Sequence, residues 1–237
     1  IERAFQEGVK VYLLCSPQNP VGLIHSEQDL REIATLAKKY DAVVISDEIH
    51  APLAWEPFTP FLALGEDAEA VGITISSSSK AFNTAGLKAA FLITQSDEIR
   101  RKIARLPEAL HFRAAILGAF AMAASFKSGD AWLDETVEQI RENYIFLGEL
   151  LEKELPKARL SVATSTYLAF IDLADYGISH PAKVLLDQGR VALVAGSDHS
   201  NDGKYDSFVR FNFATSKENI EEAVARMKKV LAQNTSS

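Results

Sequence analysis

Val9-Lys10-Val11-Tyr12-Leu13-Leu14-Cys15-Ser16-Pro17-Gln18-Asn19-Pro20-Val21-Gly22, read together with Ala42-Val43-Val44-Ile45-Ser46-Asp47-Glu48-Ile49-His50, decides the fold. Each stretch is an apolar run of strand length that breaks into polar residues. The run 9–15 suits a strand covered on both faces, and it ends at a Pro-rich loop carrying Asn19. Between the two stretches Ser26 has the chemistry of an N-cap, with Asp29 three residues on. Leu30, Ile33, Ala34 and Ala37 then fall on one face of a helix that ends near Tyr40. Strand, helix and strand in this order imply a right-handed parallel crossover, which puts the Asn19 loop and Asp47 at the same carboxyl edge of a sheet. That edge is where α/β enzymes bind ligands.

Working outward, residues 71–75 and 89–93 supply two further strands, with Ser76-Ser77-Ser78-Ser79-Lys80-Ala81-Phe82-Asn83 between them. Ser96 caps a helix stopped by Pro107. Residues 111–126 are apolar nearly all round, the pattern of a helix buried between layers, and Gly129-Asp130 breaks it before a longer amphipathic helix to about Leu155. Beyond Pro156 the expected order is strand (160–162), strand (167–173), helix (181–188), strand (191–194), strand (208–213) and a final helix from Ser216. This reads as a larger α/β portion over 1–128, a connecting helix over 129–155 and a smaller α+β domain over 156–237. No internal repeat is visible, and the serine run before Lys80 is the one low-complexity stretch.

Composition narrows the class of function. A hydrophobic share of 47% with 24% charged residues argues for a folded globule, and no apolar stretch has the length of a bilayer span. The net charge of -7, with Lys and Arg interleaved among carboxylates, gives no footprint for nucleic acid. A small-molecule partner is therefore expected. Cys15 is the only cysteine, so no intrachain disulfide forms, and a reducing cytoplasm fits. The start, Ile1-Glu2-Arg3-Ala4-Phe5, reads like the interior of a helix, and the expectation is the C-terminal part of a longer chain.

Four motifs carry the chemistry: Ser16-Pro17-Gln18-Asn19-Pro20-Val21-Gly22, Ser46-Asp47-Glu48-Ile49-His50, the Ser-rich Lys80 loop, and Phe208-Val209-Arg210-Phe211-Asn212. In this order they resemble the fold-type I enzymes of pyridoxal 5′-phosphate (PLP), the aminotransferase class I/II superfamily, over almost the whole chain. The resemblance implies the aspartate aminotransferase fold, with a mostly parallel sheet in the large-domain portion. It implies that Lys80 holds PLP covalently through its amine and that Asp47 keeps the pyridine nitrogen protonated. Asn19 matches the residue that donates its amide to the phenolic oxygen of PLP. Ser77, Ser79 and Lys88 match the phosphate ligands, although a run of four serines leaves their register open and Lys88 stands where arginine is more common. Arg210 matches the arginine that clamps the substrate α-carboxylate, with Asn19 beside it. Taken without the motifs, each has a plainer reading: a surface lysine, a solvated acidic pair of Asp47 with Glu48, a turn asparagine, a polar linker, a structural salt bridge.

His50 stands where many of these aminotransferases carry a tyrosine that contacts the phenolic oxygen. With Trp55 and Pro57-Phe58 it makes the string resemble the cystathionine β-lyase/carbon-sulfur lyase subgroup typified by PatB and MalY. The implied reaction is β-elimination from cystathionine or a related cysteine conjugate, giving pyruvate, ammonia and a thiol. An aminotransferase uses the same residues, and a non-catalytic fragment is the alternative from a different class. The family's glycine-rich phosphate loop, the ring that stacks on the cofactor and the segment reaching the partner subunit's site all precede the region that Ile1 begins. The parent is expected to be a homodimer.

Overall fold

Apolar strands form here because β-branched and aliphatic residues run together between turn formers, and two helices begin at serines, Ser26 and Ser96, that cap their first turns before a period near four. The computed structural model describes residues 1–111 and 114–234. They divide into two units, one of residues 1–18 and 23–136, the other of residues 19–22 and 137 onward.

In the first unit the order is α1 (Glu2–Gln6), β1 (Val11–Cys15), α2 (Glu27–Lys39), β2 (Val43–Asp47), α3 (Glu66–Val71), β3 (Gly72–Ser76), β4 (Phe91–Ile93), α4 (Asp97–Ile103), α5 (Glu108–His111), α6 (Ile116–Ser128) and the start of α7 (Asp130–Glu154). The sheet has the order β1-β2-β3-β4. β1, β2 and β3 are parallel, with Cys15 opposite Asp47 and Asp47 opposite Ile75, and β4 is antiparallel to β3. The sheet is thus mostly parallel, as the strand-helix-strand reading requires.

α2 forms as its sequence dictates. The Ser26 hydroxyl accepts the Asp29 N–H at 3.1 Å, and the acidic first turn complements the helix dipole. Leu30, Ile33, Ala34 and Ala37 are buried together with Leu14 and Val44 of the sheet and with Phe61, Leu62, Leu64, Ala68 and Val71. α3 itself was not foreseen.

Two burial expectations are overturned. β1 is covered on one face: Leu14 is buried, whereas Val11 and Leu13 on the alternate face are exposed, Leu13 by 67%. Among the described residues α2 and its neighbours cover the first face and nothing comparable covers the second. The apolar helix expected over 111–126 and buried between layers is instead α6, with Ile116, Leu117 and Phe120 exposed by 71%, 70% and 69%. Residues 112 and 113 of that expectation lie outside the described residues. Gly118 is the buried point of α6, where an added Cβ would come within 2.3 Å of the Leu87 carbonyl oxygen.

The second unit continues α7 and adds β5 (Arg159–Leu160), β6 (Leu168–Asp172), α8 (Pro181–Gly189), β7 (Val194–Ala195), β8 (Phe208–Asn212) and α9 (Lys217–Asn234). Its sheet has the order β5-β6-β8-β7 and is antiparallel throughout. The strand expected over 191–194 forms only as Val194–Ala195, since the α8 C-cap at Arg190 and its turn take up the residues before it. Phe170, Ile171, Val209, Phe211, Phe213, Ile220, Val224 and Met227 are buried. Asn143 of α7, also buried, donates its side-chain amide to the carbonyls of Phe213 and Thr215 at 3.0 and 2.8 Å. Among the described residues no helix is long and apolar enough to cross a membrane.

Candidate active site

In the first unit, parallel β2 and β3 end at the same carboxyl edge, and the register that sets Asp47 opposite Ile75 puts Asp47 beside the start of the Ser-rich loop. Asp47 is half-buried, and its Oδ1 accepts the Ile49 N–H at 3.1 Å, which turns the chain sharply after the strand. His50 follows, 3% exposed, at the head of the short turn Ala51–Leu53.

The four serines are not a loose linker. The Ser77 hydroxyl donates to the Ala89 carbonyl at 2.6 Å and accepts the Ser79 N–H at 3.0 Å, and the Ser79 hydroxyl lies 2.7 Å from it. Ser78 pairs with Thr84 at 2.8 Å, and the Ser78 carbonyl accepts the Phe82 N–H at 2.9 Å. Phe82 is then wedged among Phe126 (5.6 Å, edge-on) and Trp132 (5.8 Å, stacked). These contacts hold the half-buried Lys80 on a fixed loop beyond β3. Because Ser77 spends its proton on Ala89, Ser79 is the serine whose hydroxyl can turn toward a ligand without breaking a tie to the backbone. Lys88 is exposed and adopts a left-handed backbone, φ 53°, at the end of the turn Ala85–Leu87.

The remaining two residues belong to the second unit. The Gln18 N–H donates to the Leu23 carbonyl at 2.8 Å, closing the short excursion of residues 19–22. That excursion is fastened to residues 163–165: the Gly22 carbonyl accepts from the Thr164 N–H (2.9 Å), the Thr164 hydroxyl (3.3 Å) and the Ser165 hydroxyl (3.1 Å). So fastened, Asn19 accepts at Oδ1 from Arg210 Nη1 at 3.0 Å. Arg210 sits in mid-strand on β8, between Phe170 of β6 and Val194 of β7. The carboxamide orients the guanidinium without neutralising it, which suits an arginine kept for an external carboxylate.

Three residues near these groups escaped the sequence reading. Glu48, half of the solvated acidic pair that was the plain alternative for Asp47, is buried; the alternation that buries Val44 and Ser46 runs on to Glu48. Tyr167 and His199 both feel the Arg210 charge. Burial pushes the Tyr167 phenol up, with Arg210 opposing, and pushes His199 down, with Arg210 adding to the effect and Asp198 opposing it. His199 Nε2 is buried without a hydrogen-bond partner among the described residues. No local pattern marks these two: Tyr167 lies just before β6 and His199 ends the short turn Gly196–His199, and only the tertiary path brings them near Arg210.

The chain is 37% identical over 234 residues to a Corynebacterium glutamicum protein named cystathionine beta-lyase, covering 98% of this chain and 62% of that protein. It is 32% identical over 232 residues to cystathionine beta-lyase PatB of Bacillus subtilis, covering 94% of this chain and 59% of PatB. A solved PLP-bound C-S lyase from Staphylococcus hominis superposes with a TM-score of 0.89 at 27% identity, covering 98% of this chain and 61% of that one. The chain thus spans about three-fifths of the length of these relatives. The family model of the class I and II aminotransferases matches residues 1–227, and the chain belongs to that family.

Proposed function

We propose that the chain is the part of a PLP-dependent carbon-sulfur β-lyase that carries the cofactor-holding lysine, the pyridine-nitrogen carboxylate and the carboxylate-binding arginine. The observation that carries the reading is the ending of parallel β2 and β3 at one edge, with Asp47 terminating the first strand and the braced Lys80 loop leaving the second. The residues fit PLP by their chemistry: an amine on a fixed loop, a carboxylate at the strand end, a serine hydroxyl able to turn and a cation at Lys88. When bound, PLP supplies an electron sink for charge developing at the substrate Cα.

The residues divide the work. Asp47 would hold a proton at the pyridine nitrogen, with its Oδ1 already steered by the Ile49 N–H. Lys80 Nζ would hold the cofactor and, as a free amine, would take the proton from the substrate Cα. Arg210 would pair with the substrate carboxylate while Asn19 Oδ1 fixes its orientation, and the Asn19 amide would donate to the phenolic oxygen. Ser79 and Lys88 would hold the phosphate, with Ser77 bracing Ser79. His50, in the Asp-Glu-Ile-His string, supports elimination over transamination, as does the likeness to relatives named cystathionine beta-lyase. An amino-acid substrate and a homodimeric parent belong to the same reading.

The deciding experiment mixes the full-length enzyme with cystathionine and follows pyruvate and free thiol, while a parallel sample with 2-oxoglutarate is followed for amino-group transfer. Catalytic release of pyruvate and thiol is expected. Stoichiometric conversion of PLP to its pyridoxamine form without thiol release would assign the chain to the aminotransferases instead.

A further inference from the structure

Glu48, the residue after Asp47, is 5% exposed. Its Oε1 accepts the Ser46 hydroxyl at 2.9 Å, the Phe61 N–H at 2.9 Å and the Thr74 hydroxyl at 3.3 Å. One oxygen thereby ties the end of β2 to β3 and to the turn Phe61–Leu64. All three partners donate, which suits a carboxylate. Burial nevertheless pushes the Glu48 carboxyl up, the three donors oppose it, and the neighbouring Asp47 charge adds to the rise. A glutamine carbonyl could accept from the same donors without burying a charge, so a carboxylate here weakens the fold relative to its neutral isostere. Its backbone neighbour is the carboxylate on which the proposed chemistry depends.

We propose that Glu48 is a positioning residue for Asp47: it pins the strand end from which Asp47 projects, and its negative charge reinforces the hold of Asp47 on the pyridine-nitrogen proton. The inference rests on the reading of Asp47 given above. Ser46 and Ile49 bracket the pair, so the backbone on both sides of Asp47 is fixed, by the Glu48 tie on one side and the Ile49 N–H on the other. Shape and charge make separable contributions, because Glu48→Gln keeps the first and removes the second.

The test uses the full-length enzyme with Glu48→Gln, Glu48→Asp and Asp47→Asn variants. The melting temperature of the cofactor-free protein, the PLP dissociation constant by equilibrium dialysis, and kcat and KM with cystathionine are measured for each. Glu48→Gln should keep or raise the cofactor-free melting temperature while weakening PLP binding and lowering kcat by about tenfold each, the equivalent of one pKa unit of lost stabilisation, with KM little changed. Glu48→Asp, which restores the charge on a shorter arm, should recover part of the kcat. Affinity and kcat of Glu48→Gln equal to the unsubstituted enzyme, alongside a crippled Asp47→Asn, would overturn this inference alone. A fall in melting temperature that accounts for the lost activity would reduce Glu48 to a structural tie and equally overturn it. Normal turnover and affinity in Asp47→Asn would overturn the reading of Asp47 and this inference with it.

Discussion

Gly22→Ala tests how Asn19 is brought to Arg210. Gly22 has φ +69°, a left-handed conformation, and a Cβ built on it would lie 2.7 Å from the Ala163 Cβ and 2.8 Å from the Ser165 carbonyl oxygen. The conformation alone costs an alanine about 1 to 2 kcal/mol. Backbone on both sides leaves no flexible side chain to yield, so residues 19–22 must move off residues 163–165. That movement loosens the hydrogen bonds onto the Gly22 carbonyl, each worth about 0.5 to 1.5 kcal/mol net. With all three lost the sum is about 2.5 to 6.5 kcal/mol, which for a chain of this size lowers the melting temperature by roughly 5 to 25 °C. Gly177→Ala separates the two contributions, since Gly177 has φ +67° but nothing within 4 Å of its built Cβ. It should lose only the conformational part, about 1 to 2 kcal/mol. Circular-dichroism melts at fixed pH provide the comparison, and in the full-length enzyme KM for the amino-acid substrate should rise in Gly22→Ala as Asn19 leaves Arg210. Equal melting losses in the two variants, with unchanged KM, would refute the packing argument.

Further outcomes follow from the same contacts. Lys80→Ala in the full-length protein should abolish covalent attachment of PLP while leaving the cofactor-free melting temperature unchanged, because Ser77, Ser78 and Phe82 brace the loop; borohydride-trapped cofactor on another lysine would count against Lys80. The folded-state Glu48 carboxyl is raised above its ordinary value of 4.5, so the native state binds that proton more tightly than the unfolded state. Stability contributed by the protonated group is therefore lost as pH rises from 4.5 through the folded-state value, and urea unfolding should show Glu48→Gln gaining on the unsubstituted protein across that window; a gap independent of pH would contradict it. The isolated 237-residue chain should self-associate in sedimentation velocity through Leu13, Ile116, Leu117 and Phe120, and Leu117→Glu with Phe120→Glu should reduce the association; a monomer at all concentrations would show that these side chains do not drive contact. The same isolated chain should bind PLP weakly in equilibrium dialysis, and tight stoichiometric binding would contradict that expectation.

Most helices and strands were legible in the sequence, while α3 was not and the strand expected over 191–194 forms only as Val194–Ala195. Ser26, the spacing of Leu30, Ile33, Ala34 and Ala37, and the apolar runs before Ser16, Asp47 and Ser77 are signals carried within a few residues, and the helices and strands they predict are present. The placement of Asp47 at the end of a strand and of Lys80 on the loop after the next one was legible from the apolar runs that precede them; their roles come from the family resemblance. Burial was less legible. The run that contains Leu13 and the apolar α6 both read as covered, yet apolarity records what a surface can pack against and not whether an element is there to cover it. Glu48 reads as a surface acid until β3 and the 61–64 turn converge on it. The Asn19–Arg210 hydrogen bond spans 191 residues of sequence, and only the docking of residues 19–22 onto residues 163–165 creates it. Propensity and periodicity act over one or two turns of chain, whereas that contact depends on the path of the whole chain and so belongs to the tertiary structure alone.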